Sequence, residues 1–145
     1  MIEIKNIQGL YYDEMYKIHL DVMPENDKMT KECFYDEFER NTRKYFIAVK
    51  DNEVIGYIGI FDSLDDYNII GIAVKENYQN QKVGTMLLNK IIDVANQNGV
   101  KTLSLEVDQT NTKAINFYKK HGFVVTNIRK KYYKDNDALI MWLYL

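Results

Sequence analysis

The hydrophobic period of this chain switches twice near its middle, and that switch limits the fold more than any other feature. Tyr67 to Val74 is an almost continuous apolar run of strand length, read as a strand buried on both sides. From Val83 to about Asn98 the spacing changes, with Val83, Leu87, Ile91, Val94 and Ala95 on one helical face and Gly99 placed to stop the helix. Thr102 to Val107 then alternates, with Leu103, Leu105 and Val107 on one side and Thr102, Ser104 and Glu106 on the other. Strand, helix, strand in this order is a βαβ crossover in the middle of an α+β sheet domain.

The flanking segments fit the same architecture. Leu10, Met15, Ile18 and Val22 give a helix from about Gly9 to Val22. After Pro24 and a polar link, Thr30 caps a second helix whose apolar stripe is Cys33, Phe34 and Phe38. Tyr45 to Val49 and Val54 to Ile60 are apolar runs across the polar turn Asp51-Asn52, a β-hairpin signature. A short helix from about Thr112 to His121 is closed by Gly122, and Phe123 to Ile128 pairs with Ala138 to Leu145 as two final strands. The predicted order is helix, helix, three strands, helix, strand, helix, two strands.

A chain of 145 residues is read as one domain, 1–145. With 46% hydrophobic and 28% charged residues it is neither disordered nor fibrous. A formal net charge of −2 argues against nonspecific nucleic-acid or membrane-surface binding. No apolar run is long enough to span a bilayer, and the first residues do not resemble a signal peptide, so a cytoplasmic protein is expected. The one cysteine, Cys33, excludes an internal disulfide framework and a multi-cysteine zinc site.

Chemistry enters at the crossover. The strand through Ile72, Ala73 and Val74 is followed by Gln79-Asn80-Gln81-Lys82-Val83-Gly84-Thr85, which leads into the helix. A strand-to-helix turn presents unpaired backbone N–H groups at the positive end of a helix dipole, a setting that holds a pyrophosphate. The residues Gln79-x-x-Lys82-x-Gly84 resemble the Q/R-x-x-G-x-G/A motif of the GCN5-related N-acetyltransferases, the GNAT family. Lys82 stands where that motif has its first glycine; its backbone N–H can still donate and its ammonium can approach a phosphate. The run Leu105-Glu106-Val107-Asp108-Gln109-Thr110-Asn111, then Ala114-Ile115-Asn116-Phe117-Tyr118 and His121-Gly122-Phe123, is similar to the pattern of the ribosomal-protein alanine N-acetyltransferase branch of that family. The tail Arg129-Lys130-Lys131-Tyr132-Tyr133, followed by Asp137 to Met141, resembles the C-terminal hairpin of the same branch. The resemblance runs from about Ile69 to Met141, half the chain.

The resemblance implies a GNAT fold, a mixed central sheet flanked by helices. It implies acetyl-CoA as cosubstrate, held by Ile72, Ala73, Val74, the turn from Gln79 to Thr85, Asn111 and Tyr118, with no metal. It implies transfer to an amine acceptor, here the α-amine of a protein N-terminus, by direct attack in a ternary complex, in a monomer or homodimer that needs no nucleic acid or membrane. The chemistry asks for the same residue types. An amine attacks only when unprotonated, and an α-amino group has a pKa of about 8. Glu106, on the polar side of its strand, is the candidate base. Tyr118, on the next helix, is the candidate acid for the departing thiolate; an ordinary phenol is the weaker acid by about 1.5 pKa units, so donation must be coupled to C–S cleavage. A backbone N–H near Val74 would meet the oxyanion. Asn111 can cap its helix, contact the pantetheine arm, or both.

Other residues carry bland readings. Cys33 is read as packing, His19 and His121 as too isolated for a metal site, His121 as a helix C-terminal residue, Arg129-Lys130-Lys131 as a solvated strand end, and Trp142 as core. Two rival functions keep part of the reading: acetylation of a small-molecule amine such as a polyamine, amino sugar or amino acid, and a non-catalytic acyl-CoA-binding module.

Overall fold

Asp51 and Asn52 take left-handed backbone, at φ 51° and 64°, as a two-residue type I′ hairpin turn needs. They join β2 (Arg43–Lys50) to β3 (Glu53–Asp62), which pair antiparallel from Lys50↔Glu53 to Arg43↔Phe61. β3 pairs with β4 (Asp66–Val74) on its other side. A strand β1 (Glu3–Asn6) extends the sheet beyond β2; only four residues long, it shows too little alternation to be read from sequence. The computed structural model describes residues 1–7, 9–133 and 136–145. With β5 (Thr102–Asp108), β6 (Val124–Tyr133) and β7 (Asn136–Tyr144), the described residues form one mixed seven-stranded sheet in the order β1-β2-β3-β4-β5-β7-β6. β4 and β5 are its parallel pair, as the crossover requires.

Helices α1 (Tyr12–Val22) and α2 (Lys31–Glu37) precede the hairpin, α3 (Val83–Gln97) is the crossover, and α4 (Thr112–Lys120) follows β5. The strand alternation sorts the core into two clusters. Phe46, Ala48, Ile58 and Leu105 pack with Val83, Leu87, Leu88 and Ile91 of α3. Tyr45, Ile47, Val49 and Tyr57 pack with Met15 and Ile18 of α1 and Phe34 of α2. Thr30 caps α2, accepting the Cys33 N–H at 3.2 Å, and Gly99 and Gly122 end α3 and α4 with φ of 70° and 94°, which glycine adopts at no steric cost.

Four expectations need correction. Leu10 is exposed in a 3-10 turn (Gly9–Tyr11), and α1 begins at Tyr12. Cys33 is exposed, because only Phe34 of α2 is buried and its neighbour points about 100° away. Trp142 is half-buried and stacks on Tyr144, on the strand face opposite the buried Met141. β4 is nowhere buried on both sides: Tyr67, Ile69 and Ala73 are buried, while Asp66, Asn68, Ile70, Gly71, Ile72 and Val74 are half-buried. That last departure creates the site.

His19 ties α1 to the segment leading into α2 and is only 1% exposed. Its Nε2 accepts the Met29 backbone N–H at 2.8 Å, so the ring proton belongs on Nδ1, which donates to the Tyr57 hydroxyl at 2.7 Å. Burial, and secondarily the Lys28 charge, hold its pKa below the ordinary 6.5. A folded-state pKa below the unfolded one gives stability that is complete above the unfolded value and falls as pH drops toward the folded value. Urea denaturation should therefore show stability declining as the solution is acidified below about pH 6.5. His19→Gln does not titrate and should flatten that decline while being less stable at pH 7.5; an equally steep decline in the variant would put its origin elsewhere.

Candidate active site

β4 and β5 pair over only three positions, Asp66↔Thr102, Tyr67↔Leu103 and Asn68↔Ser104. Side chains fasten this short joint. Thr102 Oγ1 donates to Asp66 Oδ1 at 2.8 Å, Ser104 Oγ donates to Asp66 Oδ2 at 2.6 Å, and Asn68 Nδ2 donates to Ser104 Oγ at 3.0 Å. Past the joint, Ile60 faces Ile69 but Gly59 faces Gly71, so Ile70 is the extra residue of a β-bulge, which bends the strand. β4 leaves β5, and residues 69–74 and 105–107 become walls of a cleft of about 600 Å³.

One end of the cleft is the start of α3. Gln79, Asn80, Lys82, Val83, Gly84 and Thr85 all line it, as do Ile72, Ala73, Val74, Asn111 and Tyr118. Gln81 does not; its amide turns back to the Asn77 carbonyl at 3.3 Å. Lys82 is the N-cap of α3 and makes no side-chain cap, and the first turn carries no acidic residue. The leading N–H groups of the helix are thus open to the cleft, with the positive end of its dipole behind them. Gly84 faces the Phe117 ring of α4, which a Cβ there would meet at 3.4 Å, about van der Waals contact. Gln79 braces the turn, donating to the Val74 carbonyl at 3.0 Å and accepting from Lys113 Nζ at 2.5 Å. His121 does more than end α4: its Nδ1 donates to the Phe117 carbonyl at 2.8 Å, which leaves Nε2 to accept from the Thr85 hydroxyl at 3.1 Å. Asn111 caps α4 through the Ala114 N–H at 3.2 Å.

Glu106 and Tyr118 both line the cleft. Glu106 is part-exposed and pairs with Arg129 Nη2 at 3.1 Å. That partner, on the edge strand β6, was not anticipated; in sequence it belongs to an ordinary basic run, and only the β5-β7-β6 order brings it back across β7. Tyr118 is 5% exposed, and among the described residues no hydrogen bond engages its hydroxyl. Burial pushes the phenol well above its ordinary pKa. The far wall comes from the end of α1 and its link to α2, where Val22, then Met23, Pro24 and Asp27, line the cleft. The resemblance implies that the amino-terminal helices wall the acceptor side, but the sequence singled out none of these four as site residues, and only the isolated proline marks the link. Among the described residues no cluster of side chains is arranged to hold a metal ion, and no helix is long and apolar enough to cross a membrane.

Known proteins share this fold. The model of the acetyltransferase (GNAT) family matches residues 7–123. The chain belongs to the GNAT acetyltransferase family. A Bacillus subtilis protein provisionally named ribosomal protein bS18-alanine N-acetyltransferase is 35% identical over 143 residues, covering 97% of this chain and 93% of that one. An N-alpha-acetyltransferase of Sulfurisphaera tokodaii is 30% identical over 152 residues, covering 95% and 90%. The crystal structure of the ribosomal-protein-S18-alanine N-acetyltransferase from Escherichia coli superposes with a TM-score of 0.88 at 28% identity, covering 99% of this chain and 94% of that one.

Against the GNAT motif quoted above, Lys82 is the departure, and its backbone is left-handed at φ 66°. A side chain there costs about 1 kcal/mol relative to glycine. Lys82→Gly should raise the thermal midpoint by about 3 °C, measured by calorimetry. Its acetyl-CoA affinity should change by less than about tenfold, since the expected donor is the backbone N–H. A collapse of affinity would instead make the ammonium a principal phosphate ligand.

Proposed function

We propose that this protein transfers the acetyl group of acetyl-CoA to the α-amine of a protein N-terminus, by direct attack with both substrates bound. The observation that carries this reading is the convergence of Glu106, Tyr118 and the open N-terminus of α3 on one cleft. The names of its relatives support the acceptor class.

Acetyl-CoA brings an activated carbonyl carbon and a thiolate leaving group. The α3 N–H groups hold its pyrophosphate, with Lys82 and Lys113 beside them. Backbone groups of residues 72–74, released from β5, run along the pantetheine, and Asn111, whose Oδ1 caps α4, has its Nδ2 left to donate to that arm. Glu106 takes the proton that the attacking amine must lose. Its ion pair with Arg129 fixes the direction of the carboxylate. As the C–N bond forms, a backbone N–H near Val74 meets the charge building on the carbonyl oxygen. As the C–S bond breaks, Tyr118 gives its phenolic proton to the sulfur and is reprotonated from solvent. Burial keeps the phenol protonated far above neutral pH, which secures the donor but makes full transfer to free thiolate steeper than for an ordinary phenol. Donation must therefore accompany cleavage.

Purified protein and acetyl-CoA should be screened against amino-terminal peptides and free amines, following thiol release and product mass. Peptides acetylated on the α-amine are expected. Acetylation of amino sugars or polyamines alone would replace the acceptor, and cofactor binding without turnover would leave a binding module. Glu106→Gln should lower kcat/KM by roughly 10²–10⁴, and raising the pH should recover part of the loss as more amine becomes free. Tyr118→Phe should fall without that recovery, since alkaline solution only depletes acids. Full activity of Glu106→Gln on the accepted substrate would remove it as the base.

A further inference from the structure

The cleft is divided by charge. Lys82, Lys113 and Lys120 line it from the α3 and α4 side. On the opposite side the α1–α2 link contributes Asp27. The link is held in place, with the Asp27 N–H donating to the Pro24 carbonyl at 2.9 Å, the Met29 N–H to His19, and the Tyr16 hydroxyl to the Met29 carbonyl at 3.0 Å. Yet the Asp27 carboxylate, although half-buried, makes no hydrogen bond or ion pair with any described residue. The adjacent Lys28 is engaged elsewhere, with Glu25 at 3.1 Å. The charged group that acts on Asp27 is another carboxylate, Asp108, and burial followed by that charge raises the Asp27 pKa from its ordinary value. Asp108 itself is kept anionic by the Thr110 N–H and hydroxyl and by Asn136. Glu106, the other carboxylate lining the cleft, already has Arg129.

A partly desolvated carboxylate beside a like charge is unfavourable alone and becomes favourable when a cation arrives. The reacting amine cannot serve, because it must be neutral to attack. Resting on the acceptor reading above, we propose that Asp27, backed by Asp108, is a specificity residue that receives a second positive charge of the acceptor, so that the preferred acceptor is a peptide with a lysine or arginine immediately behind its α-amine. A polyamine presents the same pair of charges, and the test separates the two sources.

Matched amino-terminal peptides differing only in Arg, Lys or Gln at the second and third positions should be compared with spermidine, using wild type, Asp27→Asn and Asp27→Lys. The reading is the ratio of kcat/KM for the basic peptide to that for the Gln peptide. It should be about tenfold or more for wild type at low salt, shrink with added salt, drop to within about threefold in Asp27→Asn, and fall below one in Asp27→Lys. Thermal midpoints and acetyl-CoA affinity like those of wild type would show that both variants are folded. A ratio near one in wild type, or an unchanged ratio in Asp27→Asn, overturns the role of Asp27 while leaving acetyl transfer standing. Asp27-dependent turnover of spermidine with none of any peptide overturns the peptide source. Acetylation of no amine at all overturns the acceptor reading itself.

Discussion

The separation of β4 from β5 is the constraint on which the rest of this molecule depends. Two parallel strands joined by a helix would ordinarily bond along their whole length, leaving nowhere for a ligand. Here they are fastened for three positions by the Asp66, Thr102 and Ser104 hydrogen bonds and are then forced apart by the extra residue Ile70. The opening exposes backbone groups of β4, the polar side of β5 at Glu106, and the first turn of α3 within the same 600 Å³ space. A sheet that gives up ladder hydrogen bonds loses stability unless something replaces them. An extended arm carrying amides, as a pantetheine does, can take up strand-like bonds in the gap.

The two ends of the cleft are built differently. The end we propose for the phosphates is made of backbone: the open N–H groups of α3, tied to α4 by the Thr85–His121 bond. Such a site depends on chain path more than on side-chain identity, which is why Lys82 can occupy a left-handed position where the family pattern has glycine and still present its N–H. The end we propose for the acceptor is made of side chains from elements that are distant in sequence: Glu106 on β5, paired with Arg129 on β6, and Asp27 after α1. Its chemistry can change with single substitutions while the sheet stays the same.

This difference explains what was legible in the sequence. The hairpin at Asp51-Asn52, the crossover, the caps at Thr30 and Asn111 and the stops at Gly99 and Gly122 are local features, each decided by a few adjacent residues, and each was readable. That the turn from Gln79 to Thr85 leads into a helix was readable for the same reason, and all of it but Gln81 lines the cleft. The bulge at Ile70 was not, because an added residue in an apolar run leaves the composition unchanged, and β4 therefore looked buried throughout. β1 was too short, and Cys33 shared a stripe with Phe34 only on a coarse view of helical phase. The Glu106–Arg129 pair lay beyond reach because it follows from strand order, with β7 inserted between β5 and β6.

The buried histidine connects the cleft wall that carries Asp27 to the core. His19 lies among Phe34, Tyr57 and Tyr16, with ring centroids 4.8 to 6.4 Å away, and its hydrogen bonds fix the neutral tautomer. Through Met29 it sets the path of the link that carries Asp27, so a group inside the α1–α2 core positions a carboxylate on the cleft wall. Met23, on the same link, lies over Gly71 of β4, where an added Cβ would come within 3.1 Å of its terminal methyl. The link is thus located from two directions, by a polar tie to α1 and by close packing on the bulged strand. A link held only by its ends would leave Asp27 free to turn into solvent, where an unpartnered carboxylate is more stable. Held at both points, it keeps the charge in the cleft without a partner, and an arriving cation meets a site whose desolvation cost is already met by the fold.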